Sequence, residues 1–266
     1  RLADVLRANS LFDVTPFNRL IHEQFTQARI QQIMNSSIQM VLTTVCLQTG
    51  KITYFQTGPG IVSTQHADVF AIHDRETFLR AVLASADQPA LMPPVVIPPG
   101  ANPPRQYVDG GVKEVAPIRI AIDNGATDVY VIVLSPEHGQ TKDKRFQGLP
   151  DILMRTIGLF VEDVAANDVG TARLYNDSIR YLAAVRDKAG AVHGLSEGEL
   201  DDLFAPPGFP NPFAGKRTVN LHSVRPVDPL PTDGLDFDPA VMTAMMDLGR
   251  QRARQLLGNV PAPVVG

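Results

Sequence analysis

The order of strand-like and helix-like segments predicts an α/β fold: one domain built on a mainly parallel sheet covered by helices on both faces. Two observations carry this expectation. The run at 129–134 is apolar on both alternations, as a central strand buried on both faces requires. Between it and the earlier apolar run Gln106-Tyr107-Val108 lies a helix-like segment, and a strand–helix–strand order implies a right-handed crossover.

Each element follows from local signals. Arg1-Leu2-Ala3-Asp4-Val5-Leu6 looks like the tail of a helix. Thr15-Pro16 starts the next, with Thr as N-cap and Pro at the first helical position. Phe17, Leu20, Ile21, Phe25, Ala28 and Ile33 continue it at near-helical spacing, while His22 and Glu23 fall on the solvated side. Residues 38–47 are rich in β-branched side chains and read as a strand. The turn Gln48-Thr49-Gly50 returns the chain into a second strand at 52–56, giving a hairpin.

Gly58-Pro59-Gly60 ends that pattern, and Asp74 caps a helix carrying Phe78, Leu79, Val82 and Leu83 on one face. Residues 89–104 are too dense in proline for regular helix. They read as a buried connection, the alternative being an apolar wall beside an acyl site or a lipid surface. A short helix at 117–124 is stopped by Asn124-Gly125. Residues 135–149 form a polar, exposed loop. It contains His138, which has no partner at metal-ligand spacing.

Residues 149–189 are mostly helical with a break near 167–170, and Asp151, Glu162, Asp163, Asp168 and Asp177 mark solvated faces. A proline- and phenylalanine-rich exposed loop at 205–216 is able to form part of a lid. A strand at 219–224, a linker at 225–238 and a terminal helix at 239–257 close the chain, with Val241, Met245, Leu248 and Leu256 facing inward. There is no internal repeat.

Composition narrows the function classes. The chain has 266 residues, 44% hydrophobic and 20% charged, as in a soluble globular protein. The net charge of −4 and the lack of a basic run with interleaved aromatics argue against a nucleic-acid partner. No apolar stretch reaches the ~20 residues of a spanning helix, and the start lacks a signal-peptide pattern. Cys46 is the only cysteine, so intrachain disulfides and cysteine-rich metal sites are excluded. It lies in an apolar strand pattern and reads as a core thiol. No metal or cofactor is expected, and a cytoplasmic or peripheral-membrane location is favoured.

The candidate site residue is Asp109. Asp109-Gly110-Gly111 ends the apolar run Gln106-Tyr107-Val108, and an acid at the carboxyl end of a strand is where α/β sheets usually present chemistry. The glycines permit a tight turn and the close approach of another segment, since no Cβ is in the way.

Around this tripeptide lie Ala84-Ser85-Ala86-Asp87-Gln88-Pro89 and Met92-Pro93-Pro94 upstream. Glu114-Val115-Ala116-Pro117-Ile118, Ala121-Ile122-Asp123-Asn124-Gly125-Ala126 and the strand beginning at Asp128 lie downstream. In that order these segments resemble the patatin-like phospholipases. The likeness extends back to Ser10-Leu11-Phe12-Asp13 with Pro16, and to Thr43-Thr44 followed by Thr49-Gly50. It extends forward to His222-Ser223-Val224-Arg225-Pro226 and the closing helix.

The resemblance implies a serine–aspartate dyad that hydrolyses the acyl esters of lipids, in the manner of a phospholipase A or carboxylesterase. It assigns the aspartate to Asp109. It places the G-x-S-x-G serine and the oxyanion glycines N-terminal to the position of Arg1. The expectation is therefore a single patatin-like α/β domain over 1–266 that is N-terminally incomplete and inactive alone. Its expected partners are a lipid or ester substrate and the segment or chain carrying the serine, with peripheral membrane contact possible.

One G-x-S-x-G match occurs within the chain, Gly194-Leu195-Ser196-Glu197-Gly198. A nucleophile elbow needs an apolar strand before it, and Arg186-Asp187-Lys188-Ala189-Gly190 is polar. Ser196 with Glu199 instead reads as a capping box. Two other readings stand beside the dyad. One is a noncatalytic protein of this fold that binds lipid or a partner. The other is a Ser-His-Asp hydrolase using His22, His66, His73, His138, His193 or His222.

Overall fold

The computed structural model describes residues 10, 12–58, 60, 62, 64, 66–98, 104–137, 141–205, 208, 211–213, 215–230 and 238–258. The helix-like opening at 1–6, His138, and parts of the 205–216 loop and the 225–238 linker lie outside them. The chain divides into two compact units, Arg1–Asn124 with Leu149–Ala165, and Gly125–Gly148 with Ala166–Gly266.

The first unit opens with α1 (Thr15–Gln24) and α2 (Gln27–Met34). The cap of α1 differs from expectation. Thr15 is already helical, and its N–H donates to the Asp13 carboxylate at 2.9 Å. The single apolar stripe predicted through Ile33 is split at Phe25, because the Thr26 hydroxyl accepts from Arg29 N and starts a new helix there.

β1 (Met40–Cys46) and β2 (Ile52–Thr57) form the predicted hairpin, paired antiparallel from Met40↔Thr57 to Val45↔Ile52. β3 (Asp68–Ala71) adds parallel to β2. α3 (Arg75–Ala84) is capped as its sequence predicts: the Asp74 carboxylate accepts from Thr77 N at 2.8 Å and from the Thr77 hydroxyl at 2.7 Å. β4 (Val95–Ile97) and β5 (Arg105–Asp109) follow, then a single 3-10 turn at Gly110–Val112 and α4 (Ile118–Asp123).

The sheet order is β3-β2-β1-β5-β4. Against the expectation of a mainly parallel sheet, β1–β2, β1–β5 and β4–β5 are antiparallel and only β2–β3 is parallel among the described pairings. For β1–β2 and β4–β5 the reason is chain length: their short connections allow no crossover, and parallel neighbours need about a dozen residues or more to reconnect. The fold is therefore mixed α/β. Its core sets Phe78 and Leu79 of α3 against Phe55, Tyr107, Ile97 and Cys46 of the sheet and Ile30 of α2. Phe55 and Tyr107 meet edge to face at 5.2 Å between centroids. Burying each such large side chain stabilises the unit by ~1.5–3 kcal/mol.

In the second unit, β6 (Asp128–Ile132) and β7 (Asn220–Val224) pair parallel from Asp128↔Asn220 to Ile132↔Val224. The expectation that 129–134 is covered on both faces is not met. Val129, Val131 and Val133 are buried, but Tyr130, Ile132 and Leu134 are exposed, Ile132 by 75%. β6 also pairs with β7 and not with β5 among the described residues, so the predicted β5-to-β6 crossover within one sheet is absent there.

α5 (Leu149–His193) is one helix of 45 residues, about 68 Å at 1.5 Å per residue, without the predicted break near 167–170. One glycine costs a helix interior only ~1 kcal/mol, and burial of Val169 and Ala172 on either side of Gly170 outweighs it. Asn176, buried on α5, bonds both backbone groups of Val219: its amide donates to the carbonyl at 2.8 Å and its oxygen accepts from the N–H at 2.9 Å.

α6 (Glu197–Phe204) follows α5, and α7 (Pro239–Leu257) closes the chain. Arg252 of α7 donates to the Arg225 carbonyl at 3.0 Å and pairs with Glu137, while the Arg225 guanidinium reaches the carbonyls of Ser135 and Pro136. Among the described residues no helix is long and apolar enough to cross a membrane.

Candidate active site

β5 carries Tyr107 and Val108 into the core, and the antiparallel register Cys46↔Tyr107, Val45↔Val108, Thr44↔Asp109 fixes its end beside β1. Asp109 is the last residue of that ladder. Its position at a strand end is as expected, but both neighbours of β5 run antiparallel to it.

The turn after Asp109 is built by two different glycines. A Cβ on Gly110 would lie 2.5 Å from Thr43 Cγ2 and 2.7 Å from the Thr43 carbonyl oxygen, so β1 can approach only a bare backbone. The atoms nearest a Cβ on Gly111 would be those of the Asp109 carboxylate, from 3.4 Å, an ordinary van der Waals contact. Neither glycine has a positive φ. The first therefore serves close approach, and the second donates its N–H to Asp109 Oδ1 at 2.8 Å. The Gly110 carbonyl accepts from Lys113 N and Glu114 N at 2.9 and 2.8 Å, which tightens the turn.

Asp109 is half-buried, and Gly111 N is the only hydrogen-bond partner of its carboxylate among the described residues. Burial pushes its pKa above the ordinary aspartate value, against the opposing effect of the Gly111 N–H. The result is a carboxylate with one oxygen pinned, the other without a hydrogen-bond partner among the described residues, and a basicity above that of an aspartate in water.

The structure adds a second acid that sequence reasoning did not single out. Asp87 follows α3, and its carbonyl accepts from Asp109 N at 2.8 Å, on the β4 side of β5. Its side chain is 2% exposed, and neither carboxyl oxygen has a hydrogen-bond partner among the described residues. Burial and then the charge of Asp109 push its pKa up to about 7. The available sequence signal was the one acid in a mainly apolar stretch from Phe78 to Ile97, several of whose side chains enter the core.

A further buried polar pair lies on the other side of the turn. The Tyr54 hydroxyl donates to Glu114 Oε2 at 2.5 Å, both groups being buried. Burial and then the bond to Glu114 push the phenol well above its usual range. His66 contacts Arg119 nearby. Gln56, also buried, holds the following loop by donating to the Gly60 carbonyl at 2.6 Å and accepting from Val62 N at 2.8 Å.

Ser196 behaves as its sequence context predicts. Its hydroxyl accepts from Glu199 N at 3.4 Å, and the Glu199 carboxylate accepts from Ser196 N at 2.8 Å, a complete capping box at the start of α6. Among the described histidines, His222 faces a carboxylate, Asp128, at 3.4 Å, and stacks on Tyr130 with centroids 4.5 Å apart. No serine hydroxyl among the described residues bonds His222 or Asp109.

A groove of about 530 Å³ at α1 and α2, lined by Gln24, Phe25, Arg29, Gln32, Ile33 and Ser36, does not include Asp109. Among the described residues no group of three or more His, Cys, Asp or Glu side chains is arranged to hold a metal ion. No protein-family model matches the chain, and no curated protein matches it.

Proposed function

We propose that this chain supplies the aspartate of a patatin-like lipid acyl hydrolase of the phospholipase A or carboxylesterase type, with Asp109 as general base. The observation that carries the reading is the state of Asp109. It ends a core strand, and one oxygen is fixed by Gly111 N at 2.8 Å. Burial raises its basicity.

A serine hydroxyl becomes a useful nucleophile only when a base takes its proton, and that base must lie within ~3 Å. In the proposed reaction the unpinned oxygen of Asp109 accepts the serine proton as the serine oxygen attacks the ester carbonyl. The tetrahedral oxyanion collapses with loss of the alcohol, which takes up the proton from Asp109. Water, giving a proton to Asp109, then attacks the acyl-enzyme carbonyl; the acyl–serine bond breaks as Asp109 returns that proton to the serine oxygen, which releases the acid and restores both groups. Backbone amides of the glycine-rich loop that the family resemblance implies stabilise the oxyanion. That loop and the serine belong to a G-x-S-x-G segment acting together with this chain.

A second reading stands beside it. Gly111 N is the only partner of the Asp109 carboxylate among the described residues, and a noncatalytic lipid- or partner-binding protein of the same fold needs no more than that. Hydrolysis of a chromogenic short-chain ester, with fluorophosphonate labelling to find the reactive serine, separates the two. The hydrolase reading expects no turnover from these 266 residues alone. It expects turnover when a G-x-S-x-G segment is supplied, with labelling confined to that segment and loss of turnover in Asp109→Asn. Labelling of a serine within this chain, or full turnover by Asp109→Asn, would refute it. Lipid binding with no turnover in any combination would establish the second.

A further inference from the structure

We propose that Asp87 is a positioning residue for Asp109, the two carboxyl groups acting as one pair that carries a single negative charge when the site is competent. The inference rests on the reading of Asp109 as a base and deepens it. The geometry is specific. Asp87 N donates to the Ala84 carbonyl at 3.2 Å, which turns the chain out of α3, and the Asp87 carbonyl receives Asp109 N at 2.8 Å. The backbone of one acid is thus bonded to the backbone of the other. The Asp87 carboxyl is 2% exposed and has no hydrogen-bond partner among the described residues. A buried carboxylate without donors is costly, so the neutral acid is the form this position accommodates.

Among the described residues, the arginines on the flanking elements are engaged elsewhere. On α3, Arg80 is occupied by Glu76 at 2.7 Å and by the Val96 carbonyl of β4 at 2.7 Å. On β5, Arg105 faces Asp68 at 3.9 Å. Beyond the turn, Glu114 is bonded to Tyr54. Among the described residues, burial and then the charge of Asp109 keep Asp87 protonated. With Asp87 neutral, Asp109 holds the pair's only charge and has room for the serine proton. With both ionised, two negative charges meet beside the position where a negative oxyanion must form.

The test is titration of the aspartate carboxyl carbons of the full chain by ¹³C NMR, in the parent and in Asp87→Asn and Asp109→Asn. The pair predicts one aspartate titrating near neutral pH, absent from Asp87→Asn. Its midpoint should fall by about one unit or more in Asp109→Asn, where the like charge is gone. No aspartate titrating above about pH 5.5, or a midpoint unmoved by Asp109→Asn, would overturn the proposal. If Asp87→Asn does not fold, the Asp109→Asn shift still decides it. In the assembled enzyme, Asp87→Asn should flatten the alkaline fall of ester hydrolysis, which a purely structural role would not do. A coupled pair in a chain whose Asp109→Asn variant retains ester hydrolysis would uphold the pairing and remove the hydrolase reading alone.

Discussion

Replacing Asp87 by Asn tests the charge state of a buried acid through stability alone. The folded-state pKa is about 7 and the ordinary value is 3.8. Between those values the folded chain holds a proton that the unfolded chain has released. Stability from this group is therefore full below pH ~3.8, falls as pH rises, and is lost above pH ~7. One pKa unit corresponds to about 1.4 kcal/mol, so the interval from pH 5 to pH 7 costs about 3 kcal/mol.

Asn is neutral and of the same shape, so it removes this dependence. The stability of Asp87→Asn relative to the parent should rise by about 3 kcal/mol between pH 5 and pH 8. The chain has no tryptophan and five tyrosines, so urea unfolding is best followed by circular dichroism with tyrosine fluorescence beside it. Carboxylates that do not interact with Asp87 titrate alike in both proteins and cancel in the difference, leaving Asp87 with its coupled partner Asp109. A relative stability that stays level within about 0.5 kcal/mol across this range would show that Asp87 is ionised at pH 5 in the folded protein. The burial argument would then be refuted.

Gly110→Ala should cost about 1–3 kcal/mol, because the added Cβ meets the Thr43 backbone as well as its side chain; Gly111→Ala should stay within about 0.5 kcal/mol. A thermal-melt comparison in which the two were equal would contradict the division of roles between them. Ser196→Ala should cost about 1 kcal/mol through loss of the cap and leave ester hydrolysis by the assembled enzyme intact; loss of activity in a folded variant would contradict this. Tyr54→Phe removes the buried donor to Glu114 and should destabilise by about 1–3 kcal/mol in chemical denaturation, and a neutral result would contradict it. Asp109→Asn should lower ester hydrolysis by the assembled enzyme about 10²- to 10⁴-fold while leaving the circular dichroism spectrum unchanged.

What was legible in the sequence was local. Asp74 and Ser196 announce their helices because an N-cap needs only its own next three residues. The β1–β2 hairpin is legible for the same reason, its turn and both strands being contiguous. What failed needed partners distant in sequence. Strand direction around β5 depends on β1, about sixty residues earlier, and the apolar run at 129–134 fits a doubly covered strand yet leaves Tyr130, Ile132 and Leu134 exposed. α5 shows the converse failure: Asn167, Asp168 and Gly170 weaken a helix locally, but burial of Val169 and Ala172 keeps it whole. Asp87 belongs to this class as well. An aspartate after a helix reads as solvated, and only the fold places it against Asp109.

The same distinction explains why Asp109 remains the candidate base although the sheet around it is not the expected one. Strand polarity contributes little here, because a sheet has only a small net dipole to act on a carboxylate. The position of the acid is set by local contacts: the bare Gly110 backbone against Thr43 locks the turn to β1, Asp109 N is held by the Asp87 carbonyl, and Gly111 N holds one carboxylate oxygen. Its basicity is set by burial, which outweighs that single hydrogen bond. A second donor to the carboxylate would lower its pKa and leave it a poorer base. Full exposure would return it to that of an aspartate in water. In the proposed mechanism the chemistry therefore depends on the short stretch from Asp109 to Gly111 and on what covers it, not on whether β5 has parallel neighbours.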